Sequence, residues 1–175
     1  MLGKSAERKY LPEFVYGATD GTVTTFAIVA GVIGASLSSS VVLILGFANL
    51  FADGFSMAIS NYLSTKSNNE LNKKHKFERI KNPKKTALVT FFAFLIIGLV
   101  PLLSFVLGVF IPSIKPLEFQ ISILLTVASF LVIGAIKGKI VGKNRFRSAV
   151  ETFVIGGIAA VLAFVVGYLL RGLAG

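Results

Sequence analysis

The sequence predicts an all-α membrane protein with five transmembrane helices, and two properties of the chain lead to that class. Its 175 residues are 54% hydrophobic and only 15% charged, with a mean hydropathy of +0.80, whereas about a quarter of the residues of soluble domains are charged. Five apolar stretches also approach the 20 or so residues that a helix needs to cross about 30 Å of hydrocarbon. We therefore expect one transmembrane domain over residues 1–175.

The apolar stretches place the spans at residues 14–36, 38–63, 86–111, 117–136 and 148–170. The first span is the least apolar, because its first half is polar. Pro101 falls inside the third span, where its missing N–H and fixed ring predict a kink. The fourth span is short, and Pro116 with the two residues that follow it is expected to form its first turn.

The basic residues predict the orientation of these spans. Of the 18 lysines and arginines, all except Lys115 and Arg171 fall in the N-terminal tail, in residues 64–85, or between the fourth and fifth spans. Cytosolic loops carry the excess of Lys and Arg, so we expect a cytosolic N-terminus and an external C-terminus. The net charge of +10 then belongs to faces near anionic lipid, and the sequence gives no reason to expect nucleic acid as a partner.

Residues 64–85 form a basic cytosolic connection, for which we expect a short amphipathic helix lying on the inner leaflet. The segment Ser67–Glu70 has the spacing of a capping box, which predicts that this helix begins at Ser67. A solvated linker is the alternative. The same spacing at Ser148–Glu151 predicts the start of the fifth helix and gives Glu151 a structural role.

Two aspartates, Asp20 and Asp53, interrupt apolar stretches where lipid would surround the backbone. A carboxylate there costs roughly 2.5–3.5 kcal/mol on insertion scales, so it usually faces a bundle interior or an ion path. Asp53 also belongs to a stripe at successive i+4 steps, which share one helix face. The stripe consists of Asn49, Asp53, Met57 and Asn61.

Amide and carboxylate oxygens with a thioether form a ligand set for a divalent transition metal such as Fe²⁺ or Mn²⁺. Carboxylates that release protons when a metal binds would couple the two fluxes. A rise of about 1.5 Å per residue puts Asp20 and Met57 at one depth and Asp53 about a turn deeper. Thr24 and Thr25 are further candidates for lining the pathway. The chain has no Cys and one His, which excludes disulfides and thiolate or polyhistidine metal sites.

Each of these residues also has a structural alternative. The aspartates and asparagines could hydrogen-bond a neighbouring helix, Met57 could fill space in the core, and the threonines could bond their own backbone. Glycines on the first helix predict close helix contacts, so we expect that helix at the centre of the fold or at a dimer interface. The Phe-rich third helix is expected to face lipid. Because five spans cannot form two equal halves, a symmetric pathway would need a homodimer.

Two segments resemble the vacuolar iron transporter family: residues 16–27, YGATDGTVTTFA, and residues 45–58, LGFANLFADGFSMA. The resemblance implies a five-helix homodimer that moves Fe²⁺, and often Mn²⁺, out of the cytosol in exchange for protons, between the first and second helices of its subunits. Asp20 and Met57 match family positions implicated in metal passage. Asn49 stands where eukaryotic members carry Glu. Those members also have a long cytosolic extension rich in Glu and Met, in place of the short basic segment found here.

Two other functions are also compatible with the sequence. The chain could be a non-transporting membrane module whose polar residues hold helices together. It could also be a small proton-coupled multidrug exporter, although such sites usually need an aromatic cage and the chain has no Trp. We expect no enzymatic activity, catalytic residue or resident cofactor. The expected partners are a second copy, lipids and divalent metal ions, and a prokaryotic plasma membrane is favoured over a vacuolar one.

Overall fold

The computed structural model describes residues 2–74 and 81–173, and these are helical almost throughout. The six α-helices are α1 (Leu2–Gly34), α2 (Ser39–Lys74), α3 (Pro83–Gly98), α4 (Leu103–Phe110), α5 (Glu118–Val141) and α6 (Arg145–Leu170). Short 3-10 turns lie at Val100–Leu102, Pro112–Leu117 and Arg171–Leu173. Five segments are long and apolar enough to cross a membrane: Lys9–Gly34, Ser39–Asn72, Pro83–Phe110, Pro112–Val141 and Arg145–Leu173. The predicted five-span, all-α class is confirmed.

The third span is interrupted where the sequence predicted a kink. Gly98 ends α3, the turn Val100–Leu102 follows, and α4 begins at Leu103. Proline at 101 cannot donate an i→i−4 hydrogen bond, so its turn tightens to 3-10 geometry. The Pro101 carbonyl oxygen accepts a hydrogen bond of 2.6 Å from the Ser122 hydroxyl of α5, which anchors the break to a neighbouring helix.

The α1 helix is central, because it contacts the helices of all four other spans. Two of its glycines make this possible. A Cβ added to Gly21 would lie 2.5 Å from the carbonyl oxygen of Phe94 in α3, and one added to Gly34 would lie 2.5 Å from that of Phe164 in α6. Such distances leave no room for a side chain, so the glycines let the helix backbones meet.

The expectation that the Phe-rich third helix faces lipid is wrong for the face that carries Phe94 and Phe105. Phe94 is 0% exposed and Phe105 is 1% exposed, and both belong to the hydrophobic core with Leu50, Leu102 and other residues of α1 and α2. The close approach of α3 to the glycines of α1 turns this face inward. Phe92 and Phe110 lie on the outer side of the same span and are exposed.

Both predicted capping boxes are also wrong. The α2 helix continues without a break to Lys74, so Ser67 lies within it and caps nothing. The helix in this connection is therefore the polar end of α2 and does not begin at Ser67, while residues 75–80 of the predicted amphipathic helix lie outside the described residues. The α6 helix begins at Arg145, where the Asn144 side chain accepts a hydrogen bond from the Arg147 N–H at 3.1 Å.

The cation-rich segments meet at one end of the fold, which we call the inner end. Lys81, just before α3, contacts Glu13 near the start of the first span. Residues of α1 around Pro12 line the same groove as Lys137 and Val141 of α5. The N-terminal tail and the two basic connections thus lie on the same side of the spans, as the orientation predicted from the charges requires.

Candidate ion pathway on the first two helices

Asp20 lies on α1, half-buried, beside a groove of about 580 Å³ between α1, α5 and α6. Tyr16, Thr19 and Val23 line the groove from α1, and Lys137 and Thr152 line it from the other two helices. The lining is mostly apolar, so Asp20 supplies the only acidic group among the residues that form this groove. None of the predicted α2 residues reaches it.

Asp53 lies on the outward face of α2 and is exposed in the single chain. Asp20 and Asp53 each lie four residues from a member of the hydrogen-bonded pair Thr24 and Asn49, which joins α1 to α2. Because the two helices run in opposite directions, both carboxylates lie about one turn from that hydrogen bond, toward the inner end. A cation beside them would reduce the repulsion between two like charges on adjacent helices.

Met57 is half-buried and packs against the hydrophobic core. It lies on the same continuous helix as Asp53, one turn away, as the i+4 spacing predicted. This contact with the core is what the alternative role of Met57, filling space between helices, requires. A thioether at this half-buried position can still present its sulfur toward the Asp53 side of α2, because methionine has three flexible side-chain bonds.

The two asparagines of the stripe make hydrogen bonds between helices. The Asn49 amide donates to the Thr24 hydroxyl of α1 at 3.3 Å, and Thr24 itself donates to the Asp20 carbonyl oxygen at 2.8 Å. The Asn61 amide donates to the Thr90 hydroxyl of α3 at 2.6 Å. These contacts hold α2 against its neighbours and give both asparagines a structural role, whatever else they do.

Thr25 is fully buried, and its hydroxyl has no hydrogen-bond partner among the described residues. Within residues 2–74 and 81–173, no three His, Cys, Asp or Glu side chains come together as a metal site would require. A single chain thus carries two carboxylates and a thioether on adjacent helices, and its described residues do not assemble them into an enclosed metal site.

One buried acidic residue of α1 was not among the site residues predicted from the sequence. Glu13 of α1 is only 7% exposed and forms an ion pair with Lys81, with 2.8 Å between Oε1 and Nζ. We placed the start of the first span at Phe14, one residue too late to include it. The spacing of seven residues between Glu13 and Asp20 is two helical turns, and this signal would have assigned both to one face of α1.

The sequence matches the profile of the VIT family over residues 11–80 and 73–168. The chain belongs to the VIT family. This confirms the resemblance seen in residues 16–27 and 45–58. The two matched segments overlap at residues 73–80.

Similar proteins of the VIT family include a vacuolar iron transporter of Toxoplasma gondii, which is 28% identical over 93% of this chain and 74% of its own length. Vacuolar iron transporter 1 of Eucalyptus grandis is 28% identical over 87% of this chain and 83% of its own length. The vacuolar iron transporter of Plasmodium berghei is 41% identical over 35% of this chain. The Toxoplasma alignment runs over 225 positions, more than the 175 residues present here, so that relative carries an insertion that this chain lacks.

Proposed function

We propose that this protein exports a divalent transition metal, Fe²⁺ or Mn²⁺, from the cytosol in exchange for protons, as a homodimer. Family membership supports the general activity, since relatives along most of the chain are named vacuolar iron transporters. The observation that carries the proposal is the pair Asp20 and Asp53, two carboxylates on adjacent membrane-spanning helices, each about one turn from the hydrogen bond between Thr24 and Asn49.

The exposed position of Asp53 supports the dimer. A carboxylate facing lipid in mid-span costs roughly 2.5–3.5 kcal/mol, whereas one facing a protein interior or an ion path avoids this cost. The neighbouring outward residues Ala52, Ser56 and Ser60 are small, and small residues let membrane helices approach closely. A symmetric contact through this face would enclose Asp53 of both copies around one axis.

The ligand chemistry suits the proposed cargo. Carboxylate oxygens bind Fe²⁺ and Mn²⁺, and a thioether adds a softer donor that disfavours Mg²⁺ and Ca²⁺. Metal binds the deprotonated carboxylate, so loading releases protons and unloading takes them up. The side chains proposed for this role are Asp20, Asp53 and Met57, with Asn49, Asn61, Thr24 and Thr25 as candidate lining residues. Export is the direction that the resemblance to the vacuolar iron transporter family implies, and the charge distribution predicts that the inner end faces the cytosol.

Metal uptake into proteoliposomes with an imposed pH gradient tests this proposal, with Fe²⁺, Mn²⁺, Co²⁺ and Zn²⁺ compared in one series. Asp20→Asn and Asp53→Asn should each abolish flux while the protein still elutes as a dimer. Glu70→Gln is the matched control, because Glu70 is an exposed acid of α2 outside the residues proposed for the pathway. Metal flux that survives both Asp substitutions, or a parent protein without flux, would reject the proposal. Ethidium transport in the same vesicles would favour the multidrug alternative.

A further inference from the structure

A second polar region lies at the inner end, apart from Asp20 and Asp53. We call it the inner polar pocket. It has a volume of about 330 Å³, and every residue that lines it is polar or charged. It joins a groove of about 380 Å³ between α1 and α2, with which it shares three residues. Those shared residues are Glu13, Asn61 and Ser64.

Glu13 is the acidic group of this pocket, and only one of its two oxygens is used. Oε1 accepts a hydrogen bond from Lys81 Nζ at 2.8 Å. Oε2 is buried and has no hydrogen-bond partner in the described part of the chain. A buried carboxylate oxygen normally has a partner, because leaving it without one forfeits its solvation. Glu13, which lines the pocket, thus carries one carboxylate oxygen without a partner among the described residues.

The backbone of Lys81 is fixed independently of its side chain. The Asn69 amide of α2 donates to the Lys81 carbonyl oxygen at 2.6 Å, and the Lys81 N–H donates to the Asn69 Oδ1 at 3.2 Å. The Lys81 side chain is 32% exposed, so the ammonium group has a route to solvent. A lysine is a flexible, strongly hydrated point charge, which can leave the carboxylate without any movement of the helices.

We propose that the inner polar pocket is a divalent-cation site built on Glu13, and that Lys81 is a tethered competitor whose ammonium group holds the carboxylate until a metal ion displaces it. Choosing the transported metal as the ligand rests on the proposed function. One carboxylate surrounded by neutral amide and hydroxyl oxygens, such as those of Ser64, Asn68 and Asn72, is a hard ligand set of low charge. Such a set accepts Mn²⁺ or Fe²⁺ and releases it readily.

The position of the pocket suits the first binding site that the transported metal would reach from the cytosol. Glu13 and Asp20 lie two turns apart on one face of α1, which is about 10 Å along the helix axis. The basic inner end would otherwise repel cations, and this chain lacks the insertion found in its relative from Toxoplasma. When a metal ion replaces the Lys81 ammonium group, the charge of Glu13 is balanced both in the metal-free and in the metal-bound protein.

Mn²⁺ binding to the full-length protein in detergent tests this proposal, with free Mn²⁺ counted by electron paramagnetic resonance. An Asp20→Asn/Asp53→Asn background removes the mid-span carboxylates, so the remaining binding reports the pocket. In this background, Lys81→Met should tighten Mn²⁺ binding at least about tenfold, because the substitution removes a positive charge that lies at contact distance from Glu13 and competes with the metal. Lys84→Met is the matched control. It removes a charge from an exposed residue of the same end and should shift affinity by less than about twofold, because solvent and salt screen it.

Glu13→Gln in the same background should abolish the remaining Mn²⁺ binding. The neutral pair Glu13→Gln/Lys81→Met serves as a second variant that leaves no unpaired charge, and it should also bind no Mn²⁺ while eluting as the parent does. Binding that persists in both variants, no binding in the background protein, or equal shifts from Lys81→Met and Lys84→Met would overturn the proposal. These measurements involve no transport, so a parent without flux would reject the proposed function and leave this inference standing.

Discussion

The two acidic regions of this protein differ in how their charge is balanced. At the inner end, Glu13 is buried and paired with Lys81 of the same chain. In mid-span, Asp20 and Asp53 lie on adjacent helices, each about one turn from the Thr24–Asn49 hydrogen bond, and neither forms an ion pair among the described residues. The chain thus carries its own counter-charge at the inner end but not in the middle of the membrane. There the negative charge must be balanced by a proton or a metal ion.

The largest effect should come from the mid-span pair. Asp53→Asn should lower Mn²⁺ flux at least about 100-fold, which corresponds to about 2.7 kcal/mol of lost ion stabilisation. It should not lower the melting temperature of the protein in detergent, because Asp53 makes no hydrogen bond or ion pair within the described residues and Asn removes two like charges from the proposed dimer contact. Initial rates in proteoliposomes and a thermal melt measure both quantities. A large drop in melting temperature would show that Asp53 is part of a structural contact instead.

The opposite pattern is expected at the inner end. Lys81→Met leaves a buried carboxylate without its partner, which should destabilise the metal-free protein by about 3 kcal/mol, the lower end of the range for broken buried pairs because Lys81 is partly exposed. Saturating Mn²⁺ should restore much of this stability through binding to the folded state. A thermal melt with and without Mn²⁺ measures the difference. If Mn²⁺ raises the melting temperature of the parent as much as that of the variant, Lys81 does not compete with the metal.

Asn69→Ala should produce a smaller change at the same place. It removes two hydrogen bonds to the Lys81 backbone, at a cost of about 1 kcal/mol for each. Because Lys81 is then held less firmly, Mn²⁺ should compete with it more easily. Affinity in the Asp20→Asn/Asp53→Asn background should rise less than it does with Lys81→Met. A loss of affinity would instead make Asn69 a metal ligand.

The smallest effect is expected for Asn49→Ala, which removes the hydrogen bond to Thr24. Hydrogen bonds between membrane helices average about 0.6 kcal/mol, so a slight fall in melting temperature with intact Mn²⁺ flux is the outcome of a structural role. A flux that falls with the melting temperature unchanged would place Asn49 in the pathway. This variant therefore separates the two roles that the sequence left open.

Some features of the site could be found from spacing along one helix, and others could not. The stripe from Asn49 to Asn61 needs only the helical repeat, and the structure places it on one continuous helix. Whether its members face the core or the outside depends on which neighbours α2 meets. Met57 packs on the core while Asp53 points away, and helical spacing alone does not distinguish them.

The helix ends show the same limit at shorter range. Two Ser-x-x-Glu patterns suggested capping boxes, yet Ser67 lies inside α2 and Ser148 lies inside α6. A capping pattern acts only where the backbone N–H groups lack partners. Within a continuous helix these groups are already bonded to the preceding turn. Asn144 takes the capping role for α6 instead.

Chain composition and the order of residues were enough to establish the five spans, their shared basic end and the break at Pro101, because these depend on hydrophobicity, charge and backbone chemistry within one segment. Packing in three dimensions decided that Phe94 is buried, that Asp53 faces outward and that Glu13 meets Lys81 across 68 positions of sequence. Those outcomes depend on which helices touch. That depends in turn on the glycines of α1, whose missing side chains let α3 and α6 approach it.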